Sequence, residues 1–265
     1  MITVLLLLDI FIVILGLCIG SFLNCVLYRL EKNESFVKGR SYCPHCKHSL
    51  SWLDLIPVAS FLFLQGACRY CNKKISIQYP LLEIATGLLF LLIFNFQLSA
   101  INAFSVPVFI QLLFLLYIAS SLIVIFVYDL KHYLIPDSVL FPAIAVSFLY
   151  RLFENVFYFP HYLLAAFIAS GFFLGIFLLS KGKWMGFGDV KLALLLGLLL
   201  GFPNILVGLF LSFFFGAIIG LILMYFKKKG LKSEVPFAPF LIVGTFVALF
   251  FGDAIIQWYI HLFLF

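Results

Sequence analysis

Apolar residues run along this chain in long unbroken stretches instead of alternating with polar ones. A helix needs about 20 apolar residues to cross a bilayer. Such stretches fall at roughly 3–27, 81–98, 106–128, 137–152, 161–180, 189–201, 204–226 and 236–262, which predicts about eight transmembrane helices. The one at 189–201 is short, so it either begins inside the membrane or runs on past Gly201. Residues 28–80 are the only long polar stretch. The expected fold is an all-α polytopic membrane protein with one small insert.

Composition narrows the class further. Of 265 residues, 65% are hydrophobic and 11% charged, and 35 are Phe. A soluble domain has about 25% charged residues, and a chain this apolar could not cover its own core. A soluble globule, a disordered chain and a secreted disulfide scaffold are all excluded. The net charge of +6 is too small and scattered to argue for nucleic acid. Basic residues report topology instead. With eight spans, every Lys and Arg except Arg151 falls on one side. That places 28–80 in the cytoplasm and both termini outside. The first stretch lacks a basic flank ahead of it and is longer than a typical signal h-region. It reads as a retained span, with Cys18 and Cys25 as buried thiols of no special role.

The insert holds Cys43-Pro44-His45-Cys46 and Cys68-Arg69-Tyr70-Cys71. Each Cys-x-x-Cys puts two sulfurs on one tight turn, and two such turns supply four thiolates for tetrahedral zinc. The surroundings repeat as well, with Leu50-Ser51 after the first pair and Ile75-Ser76 after the second. The alternative is two disulfides or free thiols, and a reducing cytoplasm disfavours disulfides. A four-sulfur zinc site has no open position and is structural, which leaves His45 and His48 on the surface. Trp52, Leu53, Leu55, Ile56 and Phe61–Leu64 need cover that so small a domain does not provide. A metal staple or the membrane interface would supply it.

Acids at the ends of spans are the other candidates, because an ionised group there is expensive. Asp129 ends the third span, and Asp189 opens the sixth within Gly186-Phe187-Gly188-Asp189-Val190-Lys191. Both face the cytoplasmic side in this topology. Two carboxylates brought together out of water cannot both ionise easily, so one keeps a proton while the other acts as base toward water. That is the chemistry of aspartic peptide hydrolysis. Gly186 and Gly188 would let the backbone approach a substrate, and Lys191 would either snorkel or act on Asp189. A capping role for Asp189 is equally open, and Asp137 after Pro136 reads as the N-cap of the fourth span. Asp9 and Asp253 read as interface-exposed. No zinc-protease HExxH, Walker A or GxSxG motif is present.

These motifs together resemble the bacterial type IV prepilin peptidases, which belong to the wider class of GxGD intramembrane aspartyl proteases. The resemblance rests on Gly20–Leu30, the double Cys-x-x-Cys, Ile77-Gln78-Tyr79-Pro80-Leu81-Leu82-Glu83, Asp129 with Ile135-Pro136-Asp137, Gly186–Lys191 and Pro236–Phe240. It implies Asp129 and Asp189 as catalytic residues. It implies cleavage of a prepilin or pseudopilin leader after glycine, then N-methylation of the new terminus from S-adenosylmethionine. It also implies the bacterial inner membrane as the location. The insert is associated with methylation, and the family's methylation-linked glycine corresponds to Gly66. Ala67 stands where the family often has Lys, and Cys25 where an apolar residue is usual. The implied division is 1–30 as first helix, 31–80 as the zinc insert, and 81–265 as the peptidase domain. The competing readings are a leader peptidase without methyltransferase activity and a non-enzymatic scaffold or transporter with a zinc module. A transporter would carry its polar residues at the midplane, whereas here the acids gather at one edge.

Overall fold

The computed structural model describes residues 2–35, 39–99, 105–226 and 235–264. Lys38, Lys227, Lys228, Lys229 and Lys232, which enter the charge count, lie outside them. The described residues form α1 (Ile2–Glu31), a 3-10 turn (Trp52–Leu55), α2 (Ala59–Phe63), α3 (Gln78–Ser99), α4 (Val106–His132), α5 (Asp137–Glu154), α6 (Phe159–Ser180), α7 (Phe187–Leu200), α8 (Asn204–Tyr225) and α9 (Ala238–Leu264). The eight expected stretches thus all become helices, and no strand longer than an isolated bridge accompanies them among the described residues.

Six of these helices are long and apolar enough to cross a membrane, and α5 and α7 are not among them. Charge and length explain the difference. The 18 residues of α5 include Asp137, Arg151 and Glu154. The 14 residues of α7 extend about 21 Å at 1.5 Å per residue, short of an apolar layer of about 30 Å.

The chain divides into two compact units, Met1–Val124 and Ile125–Phe265. In the first, α1 and α3 run antiparallel with small residues in register. A Cβ on Gly16 would lie 2.7 Å from Cα of Gly87, and one on Gly20 would lie 2.7 Å from Cα of Glu83. One turn further on, the Asn24 amide donates to the Tyr79 carbonyl at 3.1 Å. The opposite end of the pair is tied by the Asn95 amide, which donates to Asp9 at 3.3 Å. Contrary to expectation, Cys18 is exposed and Cys25 half-buried; with the α1–α3 face occupied by glycines, Cys18 falls on the outward side.

The second unit is built around α7, whose apolar side chains are buried nearly throughout. A helix apolar on all sides belongs inside a protein. Gly197 sets its distance from α6, because a Cβ there would fall 2.4 Å from Cα of Ala166. Gly197→Leu is therefore expected to separate α6 from α7 and to cost more than about 2 kcal/mol, the upper part of the range for overpacking. Gly171→Ala and Gly175→Ala, which face open space, should leave thermal unfolding in detergent unchanged.

Arg151, the one basic residue on the far side of the charge count, finishes the other end of α7. Its guanidinium donates to the carbonyls of Leu198 at 3.2 Å and Leu199 at 2.7 Å, and to Glu154 at 2.6 Å. It also stacks 3.9 Å from the Tyr162 ring. The last carbonyls of a helix lack partners within it, and a cation at that end also suits the dipole.

Candidate active site and metal centre

Asp129 and Asp189 come together inside the second unit. Asp129 lies one turn before the end of α4, where Tyr133 turns left-handed at φ 56° and its N–H bonds the Asp129 carbonyl at 2.9 Å. Asp189 is the third residue of α7. Their side chains are only 5% and 9% exposed, and the charge on Asp129 acts directly on Asp189. The Asp129 carboxylate accepts the N–H of Ala238, the first residue of α9. The Asp189 carboxylate accepts the N–H of Gly186, while the Asp189 N–H bonds the Gly186 carbonyl at 3.2 Å. Asp189 therefore caps its helix in the manner of an N3 acid and at the same time feels the Asp129 charge, so capping does not take it away from its partner.

The surrounding motif residues hold this arrangement. A Cβ on Gly188 would meet Ile135 at 3.2 Å, so the glycine lets the Ile135-Pro136 turn seat directly on the start of α7. Pro136, not Asp137, is the N-cap of α5. Asp137 is the first helical residue and forms an ion pair with Lys191. The Lys191 ammonium also lies 5.3 Å from the Phe141 ring and 5.8 Å from the Phe187 ring. Lys191 thus ties α5 to α7. The contributions of Ile135 and of the Ala238 N–H were not visible in the sequence. The run Pro236–Phe240 was part of the family resemblance, but nothing in its composition marks a backbone donor.

Two carboxylates held near each other with little access to water are suited to share one proton. Such a pair can take a proton from water and give one to a substrate, with no nucleophilic side chain.

The four cysteines of the insert converge in the first unit. Their sulfurs all lie within 4.8 Å of one another, with Cys43 and Cys71 at 4.0 Å. Zinc–sulfur bonds of about 2.3 Å in a tetrahedron place sulfurs a little under 4 Å apart, so the donor set fits zinc. None of the six cysteines forms a disulfide. The two knuckles repeat with an offset of 25 residues. Cys43 N–H bonds His48 and Cys68 N–H bonds Lys73, both at 2.9 Å. Lys47 and Asn72 both turn left-handed, and Tyr42–Ser49 and Ala67–Lys74 close each turn as isolated bridges. His48 is not a ligand; its ring lies 3.7 Å from that of Tyr70 across the two knuckles.

The segment between the knuckles is anchored at two points. Asp54 accepts Arg69 Nε at 2.7 Å, the Tyr70 hydroxyl at 3.1 Å and the Ser51 hydroxyl at 2.8 Å. Burial alone would raise the Asp54 carboxyl, but the bonds from Ser51, Arg69 and Tyr70 outweigh it and hold it below the usual carboxylate range. Glu83, buried on α3, accepts the Val58 N–H at 2.7 Å and a bond from Ser21. This bond accompanies a positive-φ conformation at Val58, φ 59° and ψ −49°, that a β-branched residue rarely adopts. Gly66, at φ +70°, leads into the second knuckle, and a Cβ there would press on the Phe61 ring at 3.1 Å.

Residues 14–96 match the Bacterial Peptidase A24 N-terminal domain, and residues 116–221 match the Type IV leader peptidase family. The chain is 33% identical to a prepilin leader peptidase/N-methyltransferase of Legionella pneumophila, over 92% of both chains. It is likewise 33% identical to the protein of that name from Bacillus subtilis, over 94% of this chain and 96% of the relative. The chain belongs to the type IV leader peptidase family. The family match to the second unit takes in both aspartates, and the N-terminal match takes in all four cysteines. A third relative, from Aeromonas hydrophila, is 30% identical over 94% of this chain and 92% of its own. No solved structure matches the chain.

Proposed function

We propose that this protein removes the leader from type IV prepilin-like substrates and then methylates the amine it has exposed. The observation that carries the reading is the buried pair Asp129 and Asp189, delivered by the ends of two helices and each finished by a backbone N–H. One carboxylate takes a proton from the attacking water, and the other, protonated, gives its proton as the peptide bond opens. Gly186, where a Cβ would meet nothing nearer than 3.9 Å, leaves room for an extended substrate backbone, Gly188 supports the loop by seating Ile135, and Lys191 holds α5 against α7. The basic insert and both aspartates belong at the cytoplasmic face of a bacterial inner membrane, where the positive-inside rule puts them. A leader kept in the cytoplasm and an apolar segment held in the bilayer would bring the scissile bond to that edge.

The first unit, with its insert, is the proposed seat of methylation. S-adenosylmethionine supplies a methyl group to a neutral amine, and a partly dry site favours the neutral form of an amine. The four thiolates hold zinc in a structural role. The test is co-expression with a prepilin in a host lacking its own leader peptidase, reading the mature N-terminus by mass spectrometry. One spectrum reports both the lost leader and the added methyl. Gly66→Trp should yield cleaved but undermethylated pilin, because the bulk displaces Phe61 and the second knuckle while the second unit is untouched. Fully methylated pilin from that variant would remove the insert from the methyl-transfer step.

A further inference from the structure

The segment that joins the two knuckles carries an apolar edge that is left exposed among the described residues. Trp52 is 73% exposed, Leu62 68% and Phe63 85%, and Ile56 stands beside them, also exposed. Their depth is fixed by Glu83. Its carboxylate holds the Val58 N–H at 2.7 Å, immediately before α2, and it sits in the second turn of a helix long and apolar enough to cross the membrane. The start of α2 therefore lies level with the beginning of a span, not above it. The outward stripe of α3 continues the same surface, since Ile77, Leu81 and Ile84 are all exposed at helical spacing. Charge agrees. The described insert, 39–77, has Arg40, Lys47, Arg69, Lys73 and Lys74 against one acid, Asp54, and Asp54 is already paired with Arg69.

We propose that the Trp52–Phe63 segment is seated in the interfacial layer of the bilayer around α3, with its apolar side chains among the upper acyl chains and the basic knuckles against anionic headgroups. A Trp at this level suits the interface, where an amphipathic ring meets both phases. Burial there removes apolar area from water and gives the small insert the cover it lacks. The inference rests on the chain being a membrane protein and not on its catalytic activity.

The test uses the full chain with Trp184→Phe and Trp258→Phe, which leaves Trp52 as the sole tryptophan. The protein is reconstituted in vesicles of phosphatidylcholine and phosphatidylglycerol whose acyl chains carry bromine either near the headgroup or near the methyl end. Shallow bromine is expected to remove most of the Trp52 emission, deep bromine much less, and aqueous iodide very little. A second variant, Trp52→Phe with Phe63→Trp in the same background, should give the same order. Iodide quenching without bromolipid quenching at both positions would overturn the proposal. So would bromolipid quenching that appears only after a prepilin is added, which would make the edge a substrate surface. Loss of protease activity in these variants has no bearing on either reading.

Discussion

Asp129→Asn and Asp189→Asn proteins are expected to accumulate in the membrane in normal amounts and to leave the leader on a co-expressed prepilin. Asn preserves size and still offers an oxygen to the Ala238 or Gly186 N–H, so the helix ends should survive. What is lost is the ability to take up and release a proton, and a positioned acid or base contributes on the order of 10²–10⁴ in rate. Each substitution alone should produce nearly the full loss, because the two groups act as one unit. Methylation should vanish with cleavage, since no new amine is exposed. Asp137→Asn is the contrasting case. Asp137 is more than half exposed in its pair with Lys191, and exposed ion pairs contribute about 0–1 kcal/mol. That variant should keep most of its cleavage activity. Immunoblotting for the unprocessed prepilin separates the three outcomes, and wild-type processing by Asp189→Asn would exclude the aspartyl mechanism.

Removal of the metal should have the next largest effect. Purified protein is expected to contain one zinc per chain by elemental analysis, and Cys43→Ser should release it. Cys68→Ser should do the same to the same extent, because the two buried cysteines occupy corresponding places in the two knuckles. The Lys73 backbone N–H favours the Cys71 thiolate, but desolvation and hydrogen bonds with Cys68, Cys46 and Cys43 outweigh it and push the metal-free thiol up to about 11. Zinc must displace those protons, so its affinity should fall as pH falls. Without zinc, protease sensitivity should rise within residues 39–77 and stay low in α5–α9. A protein free of zinc, with Cys43 in a disulfide, would refute the site.

The helices were legible because unbroken apolar runs are a strong signal, and the four sulfurs because two close pairs at that spacing leave few alternatives. Packing was harder to read. A helix apolar on every side, such as α7, has no periodic face to show which neighbours it meets. Only its shortness hinted that it was a core element and not a full span. Asp137 was read as a cap on local sequence, but its partner Lys191 lies 54 residues away. Arg151 stood out as the lone basic residue on its side, and that anomaly was the available clue to a buried role. Glu83 gave less: an acid in the second turn of a span is ambiguous until the strained Val58 N–H is placed beside it.

The 25-residue offset of the knuckles continues past the cysteines. Ser51 stands at the head of the 3-10 turn, and Ser76, its counterpart, accepts the Gln78 N–H at 3.3 Å as α3 begins. Each half of the insert is thus a metal turn followed by a helical start. In the first copy the helical start is cut short before Pro57; in the second it grows into a membrane span. A metal held by all four sulfurs would consequently act as a hinge pin for membrane entry. By clamping the second copy to the first, it would set the direction in which α3 leaves the aqueous phase.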